Sequence, residues 1–344
     1  MKKNFVNQLA ERLGYPNSRP LLAILERIVS EDEAEWMAHL PATPYDLALR
    51  MRMDETSAAA GLEDLFMRGL VLISDQTPAG PLYVFDANPG RFMDMILIDP
   101  RYKVYGQEFY DLWRDFYNNE LVYKARSAEK FSFRIVPVGQ KIEDKRSILP
   151  QERAEMIVRN AKKIVVQECP CRVRERECDN PLEVCLALDK TAQYNLSRGL
   201  GREISTDEAS QVIAEAEKAG LIHETDNTEH PTVLCNCCTC CCVFLKAIAV
   251  YQQAHVISKS RYYAHIEAQE CSVCGVCLER CHFGAIFRTD DGMLVDSQRC
   301  YGCGLCSSTC PSDAITLRMR DPQEIAPFNG GEFMKGMTKV PAQK

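Results

Sequence analysis

The chain has 344 residues, enough for two or three domains, and its apolar fraction of 46% is ordinary for packed cores. Its net charge of −7 and lack of a long basic run argue against sequence-independent nucleic-acid binding, which depends on clustered Lys and Arg. Cysteine is the anomaly: there are 18, all between Cys169 and Cys310. No stretch reaches the roughly 18 apolar residues of a membrane span. Residues 4–20 mix Asn, Gln, Glu and Arg and hold no apolar signal segment. A cytoplasmic protein with reduced thiols is expected, and there cysteine clusters point to metal or catalysis rather than disulfides.

Residues 1–100 carry no cysteine. Leu21, Ile24, Leu25 and Ile28 sit at helical spacing, and Ser30 with Glu33 forms a capping-box pattern for the next helix. Thr43 precedes Pro44 and starts a short helix through Met51. Asp54 caps a further helix with Leu62, Leu65 and Phe66 on one face and Gly69 after it. Val71–Ser74 and Leu82–Asp86 flank the turn Thr77-Pro78-Ala79-Gly80 and predict a β-hairpin. Across residues 20–90 this order resembles a winged helix-turn-helix domain, whose usual role is DNA binding. The segment corresponding to the recognition helix, however, carries Asp54, Glu55, Glu63 and Asp64 against Arg68. Residues 1–100 hold 9 basic and 15 acidic side chains. That balance repels phosphates, so a structural or protein-docking role is expected in place of DNA binding.

Residues 101–165 read as a bridge. Phe109, Leu112, Trp113, Phe116 and Tyr117 form an aromatic stripe on a helix, the pattern of a buried face. Phe131–Val138 reads as a strand, and Pro150 to about Lys163 as a helix.

Residues 166–255 hold ten cysteines in two groups. The first is Cys169, Cys171, Cys178 and Cys185. The second is Cys235, Cys237, Cys238, Cys240, Cys241 and Cys242. Between them Ser205 and Glu208 form a capping box, and Gly220 ends that helix. A mostly helical metal domain is expected, the insert bringing the two groups together. Adjacent residues point in different directions, so the second group does not ligate one ion. Either two centres are present or some thiols stay free. Cys171, Cys178, Cys185 and Cys237 are expected among the ligands of one centre, Cys169 and the rest completing a second. Iron–sulfur is the first choice, with zinc or a thiol redox pair as alternatives. The block Cys169-Pro170-Cys171-Arg172 through Asn236-Cys237-Cys238 resembles a domain of iron–sulfur proteins of anaerobes whose role is unassigned. Cys237-Cys238 and Cys241-Cys242 also resemble the motifs of heterodisulfide-reductase-like subunits, though the spacing departs from theirs. Arg172, Arg174 and Arg176 lie beside the first cysteines, where they could bind an anionic substrate or raise a cluster's potential, but Glu175 and Glu177 interleave with them and a solvated mixed-charge face is expected.

Residues 262–320 contain Cys271-x2-Cys274-x2-Cys277-x3-Cys281 and, at a constant offset of 29, Cys300-x2-Cys303-x2-Cys306-x3-Cys310-Pro311. Gly275 matches Gly304, Ala285 matches Ala314, and Ile286 matches Ile315. Zinc has no need of a triple-plus-one pattern. The doubled motif resembles the bacterial two-cluster [4Fe–4S] ferredoxin, in which the fourth cysteine of each run serves the other cluster. The resemblance assigns Cys271, Cys274, Cys277 and Cys310 to one cluster and Cys281, Cys300, Cys303 and Cys306 to the other. His282 departs from the family, which often has proline there. An imidazole beside a cluster can tune its potential, or can simply be a surface group. Residues 321–344 read as a flexible tail.

The expected fold class is α+β multidomain. The expected function is electron transfer to or from a partner redox enzyme through two [4Fe–4S] clusters and a further cysteine-rich centre. The alternatives are a reductase, or an oxidoreductase subunit, with the middle centre as its substrate site, and a redox-sensing regulator. No GxGxxG, Walker loop or flavin motif is present, which weakens a self-sufficient reductase.

Overall fold

Short polar residues start the N-terminal helices. Ser18 Oγ accepts from the Leu21 amide at 3.2 Å and opens the helix Arg19–Ile28. Ser30 and Glu33 cap Glu31–Ala38 reciprocally, and Thr43 and Asp46 do the same for Pro44–Met51. Asp54 caps Glu55–Met67. β1 (Leu72–Thr77) and β2 (Gly80–Val84) then pair antiparallel, with Thr77 opposite Gly80. The computed structural model describes residues 5–124, 133–138, 142, 149, 152–252 and 256–328.

Segment 101–165 divides between its neighbours. Phe109, Trp113 and Phe116, on the helix Gly106–Phe116, are buried in one apolar core with Leu21, Ile24, Leu62 and Phe66. β3 (Phe133–Val136) instead joins a sheet with the cysteine-rich segment. The helix expected from Pro150 runs over Ala154–Asn160, and the chain is already extended at Ile164.

The cysteine-rich segment is not mostly helical. It contributes β4 (Ile164–Glu168), β5 (Glu183–Leu188), β6 (Arg202–Glu203), β7 (Ile222–Asp226) and β8 (Val233–Cys237). With β3 and β9 (Ile257–Ser258) these form a seven-stranded sheet, order β6-β4-β5-β8-β7-β3-β9. All its pairs are antiparallel except β3–β9. Its short runs Ile164–Val166 and Val184–Leu188 are the strand signal that the clearer helix Thr206–Ala219 overshadows. One face, carrying Val166, Leu186 and Leu234, packs on Val158 and Ile213 of the helices Ala154–Asn160 and Thr206–Ala219. Alternation along the strands turns Cys185, Cys235 and Cys237 to the opposite face. Glu224 is the cross-strand neighbour of Cys235 and shares that face.

β10 (Tyr262–Ile266), β11 (Ile286–Thr289), β12 (Gly292–Val295) and β13 (Ile315–Met319) form two antiparallel pairs, β10–β13 and β11–β12. The short helices Val276–Arg280 and Leu305–Ser308 lie between them. The Val138 amide donates to the Cys303 carbonyl at 2.9 Å, and Arg280 Nη2 donates to the Glu217 carbonyl at 2.6 Å, tying this module to the sheet domain. The start of the expected tail is docked: Arg134 donates to the Ala326 carbonyl and lies 4.3 Å from the Phe328 ring centroid. Residues 329–344 lie outside the described residues.

Candidate metal centres

In the C-terminal module Gly275 and Gly304 hold positive φ values of 85° and 79° at the heads of the two short helices. Only glycine adopts that backbone without strain. At Gly304 a Cβ would also stand 3.1 Å from the Val138 amide nitrogen, so the close approach is to the backbone two residues past β3. Cys281, Cys300, Cys303 and Cys306 line one small internal cavity of about 20 Å³. Cys277 feels the charge of Cys271, Cys274 and Cys310, while Cys303 feels that of Cys300 and Cys281. Burial first, and those neighbours second, raise the Cys303 thiol to about 12.

Backbone amides aim at sulfur throughout this module. Val273 N–H donates to Cys271 Sγ at 3.4 Å and Ala285 N–H to Cys281 Sγ at 3.3 Å. Ala264 and Gly302 donate to Cys300 Sγ at 3.5 and 3.4 Å. An amide donor requires sulfur as acceptor, which favours thiolate, the form that ligates iron. The residues present therefore fit a thiolate-held cluster.

The ten middle cysteines separate into two sets. Cys178, Cys238, Cys240 and Cys241 have sulfurs that all lie within 4.8 Å of one another. Cys178 Sγ is 3.8 Å from both Cys238 and Cys241, and Cys241 is 3.7 Å from Cys240. Cys238 is drawn down to about 4 by a bond from the Cys241 thiol and by the Arg172 guanidinium; burial opposes both. The other six, Cys169, Cys171, Cys185, Cys235, Cys237 and Cys242, line a cavity of about 120 Å³ on the sheet's second face. Their side chains interact in a continuous string, Cys169 with Cys171, then Cys242, Cys237, Cys235 and Cys185. The structure thus places Cys171, Cys185 and Cys237 together and Cys178 with the other set. The chain direction explains it: Cys178 follows the helix Pro170–Glu175, past the left-handed Arg176, while Cys185 lies inside β5.

The helix Pro89–Leu97 roofs this cavity with Arg91, Asp94 and Met95, and Thr191, Tyr194 and Asn195 close its side. Glu224 is the residue that the sequence reading missed. Cys242 Sγ donates to Glu224 Oε1 at 2.8 Å, and Oε1 or Oε2 together with Cys237 and Cys242 forms a second compact group of potential ligands. Glu224 Oε2 is buried and finds no hydrogen-bond partner among the described residues. Burial foremost, then the nearby Cys235, pushes its carboxyl up to about 8. Within the polar run His223-Glu224-Thr225-Asp226 nothing in the sequence singles it out; its direction toward the thiols is set by strand pairing.

Arg172, Arg174 and Glu175 are fully buried, not a solvated face. Arg174 pairs with Glu175, which also holds Lys246, and donates to the Cys241 carbonyl at 3.2 Å. Arg172 donates to the carbonyls of Pro181 and Asn236. Burial works against the charge on Arg172, but Cys169 and Cys238 hold it protonated. The two guanidiniums lie between the thiol sets and offset their negative charge. Arg176 instead lies over the Tyr110 ring at 4.8 Å. A larger open cleft of about 940 Å³ runs beside His282, Phe283 and Tyr301 and is lined by no cysteine.

Residues 293–316 match a family described as 4Fe-4S binding domain. No curated protein and no solved structure matches the chain. Among the described residues no helix is long and apolar enough to cross a membrane.

Proposed function

We propose that this iron–sulfur protein is an electron carrier that serves a partner redox enzyme. Cys271, Cys274, Cys277 and Cys310 would hold one [4Fe–4S] cluster, and Cys281, Cys300, Cys303 and Cys306 the other. A further centre would lie in the middle domain, with Cys169, Cys171, Cys185, Cys235, Cys237 and Cys242 as its candidate ligands. The observation that carries the reading is the grouping of Cys281 with Cys300, Cys303 and Cys306 around one cavity, although 18 residues separate Cys281 from Cys300. A crossed ligand set of this kind makes each half of the repeat depend on the other.

When bound, such clusters supply one-electron redox chemistry, with potentials set by charge, burial and hydrogen bonds to sulfur. The chain's own residues do the rest. The amides of Val273, Ala285, Ala264 and Gly302 stabilise thiolate charge at Cys271, Cys281 and Cys300. Val276 and Cys274 are exposed, so a protein partner would approach the cluster beside them.

The test is the full chain purified without oxygen, assayed for iron, acid-labile sulfide and the EPR signals of the dithionite-reduced protein. Two interacting reduced [4Fe–4S] signals, with matching iron and sulfide, are expected. Stoichiometric zinc without sulfide would remove the proposal. A redox-sensing regulator finds less support: the end of the helix Glu55–Met67 packs against the sheet domain through Phe66 and Tyr194, ring centroids 5.6 Å apart.

A further inference from the structure

We infer that Cys178, Cys238, Cys240 and Cys241 hold a single metal ion, separate from any iron–sulfur cluster. Four ligands placed about 2.3 Å from one ion at tetrahedral angles stand about 3.8 Å apart. The sulfur separations are 3.8, 3.8 and 3.7 Å for the pairs Cys178–Cys238, Cys178–Cys241 and Cys240–Cys241. All four sulfurs lie within 4.8 Å of one another. A four-iron core interposes its own iron and sulfide atoms between its cysteines and needs them further apart. These four thiols leave room for one ion at their centre.

Three further features fit the assignment. Asn180 Nδ2 donates to Cys178 Sγ at 3.3 Å, an outer contact that requires a sulfur acceptor and orients the ligand. Four thiolates around a divalent ion carry net negative charge, and the buried guanidinium of Arg172 lies beside Cys238 to offset part of it. The ligands come from two chain segments, Cys178 before β5 and Cys238–Cys241 after β8, as in a closed structural site. The ion would staple the 176–182 loop to the turn that follows β8. It would also fix Thr239, which lies between two of its ligands. The class is a borderline-soft divalent ion that accepts four sulfurs, zinc or ferrous iron.

The test uses the full chain purified without oxygen, alongside Cys178→Ser and Cys240→Ser. Each variant should lose about one metal ion per chain while acid-labile sulfide stays unchanged. Sulfide reports the clusters separately, so failure here is distinguishable from failure of the electron-carrier proposal. A parallel loss of sulfide would make the site polynuclear and overturn the inference, as would unchanged metal content. Because a serine variant can misfold, the wild-type chain is also exchanged with Co²⁺ under argon. Tetrahedral ligand-field bands with thiolate-to-cobalt charge transfer are expected; an octahedral spectrum, or no new band, overturns it.

Discussion

His282 Nδ1 stands 3.5 Å from Thr239 Oγ1, while Nε2 of the same ring lies 2.9 Å from the Gly220 carbonyl. Nε2 can donate only if it carries the proton, which leaves Nδ1 to accept from the Thr239 hydroxyl. One imidazole therefore joins the residue after Cys281 to the residue between Cys238 and Cys240.

His282→Ala should loosen this junction without removing metal. Loss of two hydrogen bonds at a half-buried position costs about 1–3 kcal/mol. Hydrogen exchange at Thr239 and at Gly220–Leu221 should quicken, with iron and sulfide unchanged. Unaltered exchange there would show that the Arg280–Glu217 and Val138–Cys303 bonds hold the module without help from His282.

Crossed ligation predicts which cysteine variants resemble one another. Cys281→Ser should give the same EPR change as Cys303→Ser, and Cys310→Ser the same as Cys274→Ser. If Cys281→Ser instead matches Cys274→Ser, each cluster is held by its own half of the repeat.

Acid should weaken the N-terminal unit through Glu33. Burial alone would raise its carboxyl, but bonds from Arg68 and the Ser30 amide outweigh that and hold it below the ordinary range. A depressed carboxyl contributes stability above its unfolded value of about 4.3, and that contribution is lost as pH falls below it. Glu33→Gln should cost about 1 kcal/mol at pH 7, and much less at pH 3, in thermal melts. An equal cost at both values would mean that Glu33 acts through shape and not charge.

The acidic N-terminal unit should not recognise DNA. Arg68 is engaged by Glu33, Asp64 and the Ile28 carbonyl, and Arg198 Nε donates to the Met67 carbonyl at 3.3 Å from the sheet domain. Fluorescence anisotropy with DNA from upstream of its own gene should show no specific complex at roughly 10 nM and physiological salt. A salt-resistant complex at that concentration would revive the regulator.

Local chemistry was legible in the chain itself. The caps at Ser30, Asp54 and Ser205 form from residues three apart, so their hydrogen bonds need no tertiary contact. The hairpin of β1 and β2 and the doubled cysteine run are likewise short-range patterns, readable from spacing. Assigning ligands to the ten middle cysteines was not possible in that way. Their partners are set by sheet register: Cys235 faces Glu224 because β7 and β8 pair with those residues opposite, and one step of slip would put them on opposite faces. The burial of Arg172 and Arg174 also depends on distant segments, since Met93 and Cys241 must close around Arg174 before its charge leaves water. Sequence spacing alone determined that thiols would gather here; the fold of the sheet and its helical roof decided which thiols meet, because Cys185 of β5 and Cys235 and Cys237 of β8 reach one face only once these strands have paired.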